Sequence, residues 1–403
     1  MKSPRRWFIA GGLVLAAGIA GATASTSSQL SFVRIASTTP DLLFTPPALV
    51  RHLPTPEPQY AIYMTQCVVG TPSMRDSLVK FIDETKLNAV VIDIKDYAGK
   101  ISFPTANPVL AGSVSDKCRA DDMKEFIEKL HEKDIYVIGR ITVFQDPFYT
   151  KNHPEQSVQS KSRPGEPWKD FKGLSFVAVN ARPFWEYIVE LSKESYALGF
   201  DELNYDYVRW PSDGPMSDIV YPTVNHTGDL ERFFQYLSEN VKPTGAVMSV
   251  DLFGMTTTNI DDLNIGQQLE RALPYFDYIA PMVYPSHYPK SFLGLGNPNS
   301  DPYKVVNYSM SSAVRRTIAT TTSIASFAYT RMGTSTPAIY EKPSYDPRKL
   351  RPWLQDFDYG KDYQPQDILD QTRATYDAGL TSWFVWDPAN RYTNLRQVLE
   401  ASQ

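Results

Sequence analysis

The sequence predicts a (β/α)8 TIM barrel, and three observations predict it. Eight apolar strand-like runs alternate with eight segments of helical period between residue 60 and the C-terminus. Four of those runs turn polar on one face toward their C-terminal ends, which is where the strands of a closed parallel barrel converge on substrate. No glycine-rich phosphate turn follows any of the runs, which argues against a doubly wound open sheet.

The elements follow in order. YAIYM (60–64) reads as the first strand and 74–86 (MRDSLVKFIDETK) as the first helix, with apolar residues three and four apart. In NAVVIDIKDYAG (88–99) strict alternation puts Asp93 and Lys95 on one face and Val90, Ile92 and Ile94 on the other. After a helix at 121–133, DIYVIGRITVF (134–144) sets Arg140 and Thr142 against Val137, Ile141 and Val143. A helix at 183–198 leads to GFDELNYDYVRWPSDG (199–214), where Glu202, Asn204 and Asp206 share one face while Leu203, Tyr205 and Tyr207 share the other. A packed core has no use for two carboxylates in a row, whereas a barrel mouth does. The helix at 228–240 precedes GAVMSVDLFG (245–254), with Ser249 and Asp251 opposite Met248, Val250 and Leu252. The pattern then continues as helix 265–276, strand 278–284, helix 302–320, strand 351–357, helix 365–378, strand 382–388 and helix 393–401.

Three regions are expected. Arg5 and Arg6 precede the apolar run 7–22, and Ala22-Thr23-Ala24 supplies a small-residue cleavage pattern. Residues 1–24 therefore read as an export signal, with a retained membrane anchor as the alternative; the run is shorter than the ~20 residues that span a bilayer. Residues 25–59 are Ser/Thr- and then Pro-rich and read as an unstructured tether. Residues 60–403 form the barrel. Export places the chain outside the cell or in its envelope, where Cys67 and Cys118, its two cysteines, either pair or remain two buried thiols. A net charge of -5 provides no basic patch for nucleic acid. Twenty-four Tyr and seven Trp serve core packing and, in loops, the stacking surfaces that sugar clefts require.

The segments VVIDIKDYAG, VIGRITVFQDP, GFDELNYDYVRWPSDG, SVDLFG, YIAPMVYPSHY, RPWLQDF and SWFVWDP resemble, in order, those of the glycoside hydrolase family known as DUF4015. The resemblance covers roughly residues 60–400 and implies a TIM barrel acting on carbohydrate. Two departures stand out: Asn204 occupies a position where Gln is common, and residues 321–349 are longer than usual. Both bear on fine substrate preference.

Glycoside cleavage needs two carboxyl groups flanking the scissile bond, ~5–5.5 Å apart for retention and ~6.5–9.5 Å for inversion. Asp206, ending the fourth strand, and Asp251, ending the fifth, are the candidate pair, with Asp93 in reserve. Glu202 lies roughly 13 Å deeper along its strand at ~3.3 Å per residue and reads as a buried partner of Arg140 or Lys95. Arg140 suits the orienting of a carboxylate; Arg209 is an alternative partner for Asp206, and Asp93 with Lys95 reads equally as an internal ion pair. The expected substrate contacts are Asp93, Lys95, Arg140, Asn204, Arg209, Tyr284, His287, Trp353, Gln355, Trp386 and Asp387. The loops 145–181 and 285–301 should wall the cleft.

No second His stands at ligand spacing for zinc, and no GxSxG, P-loop or HExxH run is present. The expectation is a monomer that needs no cofactor and takes a polysaccharide or oligosaccharide. A non-catalytic carbohydrate-binding barrel is the alternative.

Overall fold

A computed structural model describes residues 50–401. Eight parallel strands close into a barrel, each hydrogen-bonded to its sequence neighbours and the last to the first. They are β1 (Tyr60–Met64), β2 (Ala89–Lys95), β3 (Tyr136–Thr142), β4 (Glu202–Asp206), β5 (Val247–Phe253), β6 (Tyr278–Met282), β7 (Trp353–Gln355) and β8 (Trp383–Trp386). The intervening helices are α1 (Pro72–Asp83), α2 (Met123–Glu132), α3 (Arg182–Leu198), α4 (His226–Val241), α5 (Leu269–Ala272), α6 (Pro302–Ile318), α7 (Pro365–Asp377) and α8 (Thr393–Glu400). The expected export signal and most of the tether lie outside the described residues.

Local chemistry sets the helix ends. Proline opens α1, α3, α6 and α7, where its missing N–H has no intrahelical acceptor to lose and its fixed φ is already helical. In α2 the buried side chains are Met123, Phe126, Ile127, Leu130 and His131, one stripe at helical spacing. The expected helix 265–276 is cut to the single turn Leu269–Ala272. Gly266 upstream sits at φ 83°, and Pro274 downstream has no N–H to continue the ladder.

Two apolar layers hold the barrel. Outside the strands, side chains such as Ile92, Ile141, Leu203, Tyr205, Val250 and Val385 pack against the helices, each such burial stabilising by about 1.5–3 kcal/mol. Inside, Ala61, Val91, Ile138, Ala280 and Phe384 fill the lower barrel around Tyr136. Glu202 reaches this lower level and pairs with Arg351 at 2.9 Å, not with Arg140 or Lys95. Arg351 also donates to Gln59 Oε1 at 2.5 Å. Register explains the choice: Glu202 stands beside Ile138, whereas Arg140 stands two residues higher beside Asn204 and extends upward.

Three further features frame the site. Residues 50–59, expected within the tether, lie against the N-terminal end of the strands, where Leu53 N–H donates to Asp201 at 2.7 Å and Thr55 bonds Tyr136 at 3.0 Å. A disulfide joins Cys67, just after β1, to Cys118, in the loop after β2. The long segment 321–349 forms a small antiparallel sheet of Thr321–Thr322, Thr330–Met332 and Ile339–Glu341, fastened to α4 through Ser326 and Glu231.

Candidate active site

The strand ends deliver three carboxyl groups to one guanidinium. Asp93, Arg140, Asp206 and Asp251 stand on the inward faces of β2 to β5, at or near their C-terminal ends. Arg140 donates from Nη1 to Asp93 Oδ1 at 2.6 Å and from Nη2 and Nε to Asp206 Oδ2 at 2.5 and 3.1 Å. Its Nε also lies 4.0 Å from Asp251 Oδ2. The Asp206 and Asp251 oxygens are thus no farther apart than the sum of those two Nε distances. That bound accommodates the ~5–5.5 Å of retaining enzymes and the short end of the ~6.5–9.5 Å inverting range.

The two aspartates differ in what surrounds them. Asp251 Oδ1 accepts from Asn204 Nδ2 and from Trp353 Nε1, both at 2.9 Å. The side chain is otherwise sealed from solvent, at 1% exposure. Desolvation, reinforced by the neighbouring Asp206 charge, pushes the Asp251 carboxyl well above the ordinary carboxylate range despite Arg140, Asn204 and Trp353. With Oδ1 engaged twice as an acceptor, Oδ2 is the oxygen left to carry the proton. Asp206 lines the same cavity, with Arg140 on Oδ2 and the Tyr207 amide on Oδ1 at 2.6 Å. Burial also raises Asp93, against the pull of Arg140 and of the Tyr63 hydroxyl that donates to it.

The chain leaves β4 through Tyr207 in the left-handed region, φ 52°, a conformation costly for a non-glycine residue and concentrated at functional sites. This turn carries Tyr207 and Arg209 onto the mouth. There a cavity of about 320 Å³ holds Asp206 and Asp251 in its wall together with Tyr63, Arg140, Tyr284 and Trp386. Trp386 packs against Tyr284 and Phe357, with centroids 5.2 and 5.0 Å apart, and keeps part of its ring open. His287 lines the same cavity, its pKa lowered by burial.

Several expected contacts have other partners. Lys95 is fully buried and pairs with Asp146 at 2.8 Å beneath α3, with its ammonium 5.7 Å from the Phe184 ring. The cause is a bulge in β2: Asp93 pairs with Arg140 and Lys95 with Ile141, so the alternation slips by one residue and Lys95 faces outward. Gly99 lets the following turn close on Asp146, since a Cβ there would stand 1.9 Å from Asp146 Oδ1. Asn204 is buried as a brace for Asp251. Gln355 accepts from Ser286 N and Oγ at 3.2 and 2.9 Å and so fixes the His287 loop from below. Asp387 accepts from the amides of Ala389, Arg391 and Tyr392, shaping the turn after β8. Arg209 makes no ion pair with Asp206; it lies among the rings of Tyr207, Phe253 and Phe176.

Trp353, expected as a substrate contact, lines the cavity and donates to Asp251. Tyr63 is among the cavity-lining residues that sequence reasoning missed, with Tyr207, Phe253 and Tyr288. Its signal was available, because it shares the inward face of β1 with Ala61. The loops 145–181 and 285–301 both reach the mouth, through Asp170, Leu174 and Phe176 in one case and His287 and Tyr288 in the other. No described residue of 321–349 lines the cavity beside Asp206. Among the described residues no group of three His, Cys, Asp or Glu is placed to hold a metal.

A closed parallel barrel with carboxyl groups gathered at the C-terminal mouth defines the class of (β/α)8 barrels that act at their strand ends. Within that class the chain belongs to the DUF4015 family, described as "Putative glycosyl hydrolase domain", which matches residues 61–392. No curated protein matches it. Among solved structures it is similar to the PgaB (BpsB) glycoside hydrolase domain from Bordetella bronchiseptica, at 15% identity over 85% of this chain and 99% of that one, TM-score 0.56. It is also similar to alpha-L-fucosidase isoenzyme 2 from Paenibacillus thiaminolyticus, at 11% identity over 84% of this chain and 48% of that one, TM-score 0.55. At such identities the likeness is one of fold.

Proposed function

We propose that the protein is an exported glycosidase that hydrolyses O-glycosidic bonds in a cell-wall or extracellular polysaccharide, with Asp251 as general acid and Asp206 as nucleophile or base. The observation that carries this reading is that Asp206 and Asp251 line one cavity beside one arginine, Asp251 with its carboxyl raised by desolvation and Asp206 as the ion-pair partner of Arg140. A carboxyl group raised by burial suits the general acid of this chemistry, and a second carboxyl beside it suits the nucleophile or base. Asp251 Oδ2 gives its proton to the glycosidic oxygen as the C–O bond breaks. Asp206 then either bonds to the anomeric carbon or takes a proton from the water that does. Both carboxylates stabilise the positive charge that develops on the sugar ring, an interaction stronger in the transition state than in the ground state. Trp386, Tyr284 and His287 offer the ring faces and the imidazole against which a pyranose packs.

The test is reducing-sugar release from a panel of polysaccharides by the purified protein and by Asp206→Asn. Turnover by the wild type that the variant loses supports the assignment. Wild-type-like turnover in the variant eliminates it. Glycan binding that depends on Trp386, with no turnover by the wild type, establishes a binding barrel instead.

A further inference from the structure

Arg209 is the charged residue at the mouth that the proposed chemistry leaves unused. It is only 8% exposed, and its guanidinium makes one hydrogen bond, from Nη1 to the Trp210 carbonyl at 3.1 Å. Nε and Nη2 have no hydrogen-bond partner among the described residues, and no carboxylate lies within ion-pair distance. A buried guanidinium is costly unless paired. Every other strongly buried arginine at the strand ends or in the barrel is paired: Arg140 with Asp93 and Asp206, Arg351 with Glu202. The nearest acids to Arg209 are otherwise occupied or open to water. Asp206 is held by Arg140, Asp170 Oδ1 accepts the Lys172 and Leu174 amides at 2.8 Å each, and Asp213 is exposed.

Position adds a second observation. Arg209 lines both the cavity that contains Asp206 and Asp251 and an adjoining cavity of about 300 Å³ walled by Tyr97, Gln145 and Lys172. Tyr207, Ser212 and Asp213 also border both, so the two cavities adjoin with Arg209 at their shared wall. The rings of Tyr207 and Phe253, each 4.8 Å from the guanidinium carbon, fix its plane and leave its edge as the group that faces a ligand. A planar fork of donors in a fixed orientation matches a carboxylate in bidentate geometry. Tyr97 at the rim is largely exposed and offers a ring face to a neighbouring sugar.

We propose that Arg209 forms a carboxylate-binding subsite next to the scissile bond, so that the glycan this protein takes carries acidic sugars of the uronic acid type. The inference rests on the glycosidase reading for its substrate class, but it concerns recognition and is read by binding rather than by turnover.

The experiment is affinity electrophoresis of the full chain through gels containing polygalacturonate, alginate or hyaluronan, each compared with its carboxyl-reduced, neutral form. The expected result is that at least one native polymer retards the wild type and its reduced form does so about 10- to 100-fold less strongly, the range for losing a charge-assisted bidentate contact. Arg209→Gln should bring native and reduced polymers to nearly equal affinity, and Arg209→Lys should restore part of the difference. Equal retardation of the wild type by native and reduced forms overturns the proposal, as does retardation by none of the three. The wild-type comparison needs no variant, so it decides the matter even if Arg209→Gln does not fold. Acid-dependent binding without reducing-sugar release would sink the glycosidase reading and leave the subsite standing; hydrolysis of neutral glycans alone would do the reverse.

Discussion

Asp251→Asn separates the proposed acid from the architecture that holds it. The amide keeps an oxygen where Oδ1 accepts from Asn204 and Trp353 at 2.9 Å, and its nitrogen takes the place of Oδ2, 4.0 Å from Arg140 Nε. Because burial already holds Asp251 above the usual carboxylate range, the substitution removes a proton donor but little resident charge. Below about pH 4, where the carboxyl is protonated in folded and unfolded chains alike, native stability should change by no more than about 1 kcal/mol, the net scale of one hydrogen bond, and at higher pH the variant should gain on the wild type. Turnover should change far more. General acid catalysis contributes typically 10²–10⁴-fold, which at ~1.4 kcal/mol per decade is roughly 3–5 kcal/mol of lost transition-state stabilisation. The loss should be large for a natural sugar leaving group and small for an activated aryl glycoside that departs unprotonated. The wild-type rate should fall as pH rises through the raised Asp251 pKa, and that alkaline limb should vanish in the variant. The assay is kcat/KM against pH for both substrate types. Equal losses on the two leaving groups, or an alkaline limb that survives, would refute the assignment of Asp251 as the acid.

Further outcomes follow from the same geometry. Asp206→Asn should lower kcat by about 10²–10⁴-fold or more while leaving glycan binding nearly intact, as read by turnover and affinity electrophoresis side by side. Arg140→Met strips the cation from three buried carboxyl groups and should destabilise the fold by about 3–5 kcal/mol, measured by urea unfolding; an unchanged midpoint would contradict the pairing. Cys67→Ser with Cys118→Ser opens a loop with a sequence separation of 51 and should cost roughly 4 kcal/mol by chain entropy, again by urea unfolding, with no loss if the two sulfurs do not pair. In linkage terms, a carboxyl whose folded pKa is raised makes the native state less stable as pH rises from about 4 through that pKa. The melting temperature of Asp251→Asn relative to wild type should therefore climb with pH over that window.

Much of the architecture was legible because burial imposes period two on strands and period 3.6 on helices. The inward faces at Asp93, Arg140, Asp206 and Asp251 followed from alternation alone. What escaped depends on information that alternation does not carry. The slip at Ile94 that turns Lys95 outward is a property of the β2–β3 pairing, invisible within one strand. The partner of Glu202 depended on which residue lies across the barrel interior at the same height, and Arg351, just before β7, was that residue. Pairing of Cys67 with Cys118 required knowing that the β1 and β2 loops meet. The shortened α5 is a different matter, since Pro274 stands in plain view and was outweighed by the apolar spacing around it.

The bulge in β2 has an electrical consequence. Had the strand kept its alternation, the Lys95 ammonium would stand next to Asp93 inside the mouth and two cations would oppose three acids there. One extra residue instead places that charge behind the barrel wall, where Asp146 cancels it. Arg140 is left as the one cation bonded within the cluster, and the Asp206 charge is not opposed by a second ammonium at its side. A one-residue change in strand register thus keeps a second cation out of the place where positive charge would develop on the sugar.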